Sequence, residues 1–370
     1  NGNNKNNNYN DYVHKYNHNN NENDYYNYNY NEYDAHTNYN DYDHNDYDYY
    51  NNNNNKYSAN NTTSNQKVLT ALQAAGITII RIFITQIFAN TKSTDSIGTL
   101  DLEPIAIGSY NDAVLNQIDT LMYRATLLGI RLQITMHDRW VLDSTWGICD
   151  VYCATYTTTD PITGVPNISQ FYTSSSATAA FDARLAYIVS HRNPLMGSRA
   201  WMDIPEGVYS FEIENEAMGM SNGVEQTGDL MWWCIRATQL RKVIGNSQVL
   251  IGTGGGQTFE TSLIPQNLGC EAIDVVGMHS YDNSESYFNA SLYNGMQSAK
   301  DYGKRVILQE FGATSAKDQW VAIVASICNS LRIPWMPWEV STVSLQSDYE
   351  FWTDDAATWA ALTQYAHQAI

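Results

Sequence analysis

Basic residues are scarce: 20 Lys and Arg stand against 39 Asp and Glu in 370 residues, a formal charge of −19. That sign repels phosphate backbones and anionic bilayer surfaces, so neither nucleic acid nor a membrane is an expected partner. No apolar run approaches the ~18 residues that a bilayer-spanning helix needs. Cysteine is sparse at five, with no Cys-x-x-Cys and no Cys/His grouping at zinc spacing, so no structural metal is expected. Glycine clusters once, at Gly252-Thr253-Gly254-Gly255-Gly256. That cluster lacks the Lys-Ser/Thr of a phosphate loop and follows the fourth visible strand rather than the first. No nucleotide cofactor is expected.

Aliphatic side chains are missing from one end. Across residues 1–60, Val13 is the only one larger than alanine, amid 24 Asn and 14 Tyr. Such a stretch cannot offset its chain entropy by burying a core, so residues 1–65 read as a disordered low-complexity segment. It carries nine acidic and three basic residues, leaving −13 to the remainder. Alternating Asn, Tyr and Asp also suits self-association through amide ladders and stacked tyrosines.

Cysteine placement and sequons point to secretion. Cys149 and Cys153 are close enough for a local staple, while Cys234, Cys270 and Cys328 read as core residues. Asn-x-Ser/Thr begins at Asn60, Asn61, Asn167 and Asn289; the latter two carry weight because they stand outside the Asn-rich text. The chain begins at Asn1 with no visible signal peptide, as a processed chain or a fragment does.

Residues 66–370 alternate helix and strand. Helical spacing is expected over 66–75, 112–128, 179–190, 228–244, 287–302, 316–331 and 356–367. Short β-branched runs predict strands over 77–84, 130–136, 207–213, 249–251, 273–278, 306–308 and 333–335. Near-continuously apolar strands separated by helices mean a parallel sheet covered on both faces. Seven such units in about 300 residues fit an α/β (β/α)8 barrel, in which no recognisable first strand precedes the helix at residue 66.

A barrel places its chemistry at the carboxyl ends of its strands. There the sequence carries Arg81, His137, Asn215 with Glu216, His279 with Tyr281, and Glu310. Two carboxylates of unequal acidity flanking a pocket are what glycosidic cleavage requires. Glu212 and Glu214 precede Glu216 on the same strand, and Glu214 reads as a structural neighbour. Trp140, Trp146, Tyr152, Tyr156, Phe171 and Tyr172 follow in a long loop, as sugar-stacking faces or as packing anchors.

The text Phe211-Glu-Ile-Glu-Asn-Glu216, His279-Ser-Tyr281, Ile307-Leu-Gln-Glu310-Phe-Gly312 and Pro337-Trp338-Glu339 resembles glycoside hydrolase family 5. Ile79-Ile-Arg81-Ile-Phe83 and Met136-His137-Asp138 extend the likeness over residues 66–370. The resemblance implies a retaining (β/α)8 glycosidase acting on β-1,4-mannan or β-1,4-glucan, with no cofactor. It implies Glu216 as acid/base and Glu310 as nucleophile, with Asn215 on the sugar 2-hydroxyl and Arg81 and Tyr281 holding Glu310. His137 and His279 would line the sugar site and Trp338 would floor it. A monomer is expected. The rival reading is a secreted structural or adhesive, fibre-forming protein with a vestigial glycosidase body and a self-associating N-terminal segment.

Overall fold

The computed structural model describes residues 64–89, 98–221, 224–225, 228–342, 344–345 and 347–369. The expectation of disorder over 1–65 falls almost wholly outside them. Six parallel strands form one sheet in chain order: β1 Ile79–Phe83, β2 Arg131–Thr135, β3 Val208–Glu212, β4 Leu250–Gly252, β5 Val275–His279 and β6 Arg305–Glu310. Sequential neighbours, all parallel, curl the sheet as a (β/α)8 barrel does. A seventh position is filled by Pro334–Trp338. Leu308 N–H donates to Pro334 O at 2.9 Å, and Met336 N–H returns to Leu308 O at 2.8 Å.

Among the described residues, seven principal helices cover this sheet: α1 Ser64–Ala74, α2 Ala113–Leu127, α3 Ser175–Ser190, α4 Trp232–Ile244, α5 Glu285–Tyr302, α6 Lys317–Leu331 and α7 Ala356–Ala366. The expected apolar spacing holds on α2, where Val114, Leu115, Ile118, Leu121, Met122 and Ala125 are all buried. Only β4 lacks a long helix, being followed by the short turns Phe259–Ser262 and Pro265–Leu268.

Because α1 precedes β1, the chain order places a first strand before Ser64, and none lies among the described residues. Arg131 N–H bonds Thr78 O and Ile84 N–H bonds Thr135 O, so the alternate residues Ile79 and Arg81 turn their main-chain groups away from β2. They face a cleft bounded by Leu72, Ile77, Trp335, Met336, Pro337 and Leu362. Among the described residues, the sheet therefore ends at β1, at the unit where the sequence shows no apolar run.

Inside the sheet the layer under the site is polar. Glu212 accepts from Arg81 Nε at 2.8 Å, from Thr135 Oγ1 at 2.5 Å, and from the amides of Gln133 and Gln309. The expected Cys149–Cys153 staple is present. The reading of Cys234 and Cys270 as core residues alone is corrected. Helix α4 and the turn before β5 bring their Cα atoms to 5.6 Å, and they form a disulfide. Cys328 remains a buried free thiol.

Candidate active site

Strand ends converge on two carboxylates. Glu310 closes β6, and a register shift on the β5–β6 ladder sets His279 opposite Glu310 although Met278 pairs with Leu308. Glu216 lies four residues beyond β3 on a left-handed backbone with φ 47°, a conformation rare outside glycine. The glycine cluster makes room for this turn. A Cβ on Gly254 would come within 2.2 Å of Glu214 O, and one on Gly255 within 2.3 Å of His279 Nε2.

One oxygen of Glu216, one of Glu310 and one ring nitrogen of His279 all lie within 4.8 Å of one another, and all three residues are buried. His279 Nδ1 is 3.0 Å from Glu216 Oε1 and 3.6 Å from Glu310 Oε2. Glu310 also accepts from the Arg81 guanidinium and, at 2.9 Å, from the Tyr281 hydroxyl. Arg81 extends to Asn215 Oδ1 at 3.0 Å, while Asn215 Nδ2 donates to Asp138 at 2.9 Å. The same three ligand atoms have a cation's spacing, but a divalent ion would have to share Glu310 with the guanidinium.

The two carboxyls differ in what faces them. Burial pushes Glu216 up to about 7, with Asp138 adding to the rise and an indole hydrogen bond from Trp140 opposing it. Burial raises Glu310 as well, and His279 and Arg81 pull it back. Glu310 alone takes a direct bond from a permanent cation, which favours its ionised form. Burial also holds His279 down at about 4, so its ring is neutral.

Thus Arg81, Asn215, Glu216, His279, Tyr281 and Glu310 come together. Trp338 joins them at the border of the cleft, buried and edge-on to Phe83 at 5.9 Å. His137 does not. Its ring is fully buried among Tyr152, Phe171 and Phe181, with Nδ1 2.6 Å from Glu214 and Nε2 2.9 Å from Asp150. It meets the site only through its carbonyl, which accepts from Asn215 N–H at 2.9 Å. Sequence reasoning gave no role to Glu212 or Asp138 and left Trp140 undecided. Period-two alternation with Ser210 was the available signal that Glu212 points inward.

The sequence matches no family model and no curated protein. Among solved structures, the fold is similar to an endo-1,4-β-mannanase from Rhizomucor miehei at TM-score 0.65 and 15% identity, over 81% of this chain and 88% of that one. A glycoside hydrolase family 5 mannosidase from the same organism gives 0.61 and 14%, over 83% and 88%. An endoglucanase from Pseudomonas stutzeri gives 0.54 and 12%, over 80% and 84%. These likenesses, at 12–15% identity, are of fold alone.

Proposed function

We propose that this protein is a retaining glycoside hydrolase acting on a β-1,4-linked polysaccharide of mannan or glucan type. The observation that carries the reading is the Glu216–Glu310 pair, with carboxylate oxygens within 4.8 Å on facing strand ends. Double displacement needs carboxyl groups roughly 5–5.5 Å apart, whereas inversion needs roughly 6.5–9.5 Å to admit water between them. In this mechanism Glu310, oriented by Arg81 and Tyr281, attacks the anomeric carbon. Glu216 protonates the departing oxygen and its proton leaves with the released sugar. The resulting carboxylate then takes a proton from water, which attacks the glycosyl ester and frees Glu310. Asn215, held between Arg81 and Asp138, is placed to bond the 2-hydroxyl. His279 is neutral and bonds Glu216, so it supports the acid rather than adding charge.

Mannan and glucan neighbours both support the substrate class, and the 2-hydroxyl configuration separates them. Two disulfides and exposed Asn167 and Asn289 are compatible with a secreted glycoprotein. Among the described residues no helix is long and apolar enough to cross a membrane. The fibre-forming alternative turns on residues 1–65, which lie almost wholly outside the described residues. The test is reducing-sugar release from β-1,4-mannan and β-1,4-glucan by wild type and Glu310→Gln. Wild-type hydrolysis with retained anomeric configuration, falling roughly 10⁴-fold in the variant, supports the reading. Equal rates for the two proteins, or inverted product, would overturn it.

A further inference from the structure

Trp140 stands where a sugar-stacking platform and a tuning group for the acid predict different chemistry. It lies on the turn Arg139–Leu142 just after β2, and its indole N–H donates to Glu216 Oε2 at 2.8 Å. The Arg139 guanidinium sits 4.2 Å over its ring, and the Trp146 ring lies at 5.5 Å with a 49° tilt. The indole plane is thus held from one face by a cation whose own partner is Asp143, at 2.9 Å.

We propose that Trp140 is a positioning residue for the acid/base glutamate: it fixes the Glu216 carboxyl and favours the ionised form that hydrolysis of the glycosyl-enzyme requires. The inference rests on the retaining reading for its consequence and on the 2.8 Å contact for its existence. Glu216 has two oxygens and two direct side-chain partners of different kind. On Oε1, His279 Nδ1 can donate or accept, because the neutral ring has two tautomers. On Oε2, the indole can only donate. A donor-only partner stabilises a carboxylate more than a carboxylic acid and so opposes burial.

The charged and titratable groups facing Glu216 come from every surrounding element. Asp138 and Arg139 lie on the turn after β2, Arg81 on β1, His279 at the end of β5 and Glu310 at the end of β6. Asp138 disfavours ionisation of Glu216, whereas Arg139 and Arg81 favour it. Trp140 is the member of the shell that does not titrate, and removing its N–H leaves every charge in place. The residue must serve both half-reactions, protonated in the first and ionised in the second. Overshoot towards the acid would slow the second step at neutral pH.

The test compares wild type with Trp140→Phe, which keeps an aromatic face and loses the N–H. One readout needs no activity: carboxyl ¹³C titration of Glu216, its resonance assigned by difference with Glu216→Gln. The expected result is an upward shift of about one pH unit, from loss of one hydrogen bond to a charged group. The alkaline limb of kcat/KM should move by the same amount, with KM within about twofold. An unchanged titration overturns the proposal, and so does a downward shift. A rise in KM with an unmoved limb would make Trp140 a sugar platform only. If the titration shifts but neither polysaccharide is cleaved, the tuning stands and the glycosidase reading falls.

Discussion

Two histidines of this barrel are each bracketed by carboxyl groups near strand ends, and they end in opposite states. His137, just past β2, has both nitrogens engaged, by Glu214 and Asp150. Burial opposes its charge, but those two bonds lift it to about 10, so it is a cation. His279, at the end of β5, has Nδ1 beside Glu216 and Glu310, and burial takes it down to about 4. The difference lies in who supplies the positive charge. Around His279 the guanidinium of Arg81 already balances Glu310 and Glu212, so the ring stays neutral. Around His137 the nearest arginine in sequence, Arg139, is paired with Asp143, and the imidazole carries the charge itself. A closed pair is a structural rivet; carboxyls held by a neutral ring keep protons to exchange.

The largest expected effects separate the two clusters by what is lost. Glu214→Gln leaves a buried imidazolium with half its compensation, a change that costs about 3–5 kcal/mol of stability. The activity of the folded fraction should remain within a few-fold. Glu310→Gln should instead place its main effect on turnover, with kcat of the folded fraction down roughly 10⁴-fold, beside the stability cost of leaving Arg81 with Glu212 alone. Urea melts and turnover on the same two variants check both claims. Coincident losses in both variants would erase the distinction.

Solution pH should divide the clusters next. His137 is raised above its unfolded value of ~6.5, so its contribution to stability is complete below that pH and is lost as pH rises through about 10. On the proposed double displacement Glu216 must be protonated for the first step, so kcat/KM should fall as pH rises through about 7. Activity is therefore expected to fall with a midpoint near 7, at the start of a decline in the thermal midpoint that continues to about pH 10. Melting curves from pH 6 to 11 beside a pH–rate profile measure this. His137→Leu should flatten the alkaline decline in stability and leave the rate profile where it was.

Much of this architecture is legible in the residues. The strand runs at 77–84, 130–136, 207–213 and 306–308 enclose the observed β1, β2 and β3 and the middle of β6, because buried parallel strands need unbroken apolar side chains. Glu216 and Glu310 are legible for the same reason, as carboxyls just past such runs. His137 misled because a histidine after a strand looks the same whether its ring faces a cleft or a cage. The cage is built by Asp150, Phe171 and Phe181, which come from later in the chain. The Cys234–Cys270 bridge was hidden likewise, since a separation of 36 residues carries no local signature. The lack of a first strand among the described residues was legible as a lack of aliphatics, and the cleft beside β1 lies where that strand would pair.

The finest comparison uses two tyrosines in matched bonds. Tyr172 donates to Glu214 Oε2 at 2.9 Å, and Tyr281 donates to Glu310 Oε2 at 2.9 Å. Replacing either with phenylalanine removes one hydroxyl and leaves the ring. A hydrogen bond to a charged group is worth about 1.5–3 kcal/mol, so both changes draw on one physical quantity. Tyr172→Phe should express it as stability, because Glu214 is fully buried in a cluster to which the proposed mechanism gives no step. Tyr281→Phe should express it as rate, about 10- to 100-fold in kcat, because Glu310 loses a donor that favours its ionised form. The acid limb of the Tyr281→Phe rate profile should also move upward, since a less stabilised carboxylate protonates at higher pH. Equal stability losses for the two variants, with no movement of that limb, would mean that Tyr281 is as structural as its counterpart.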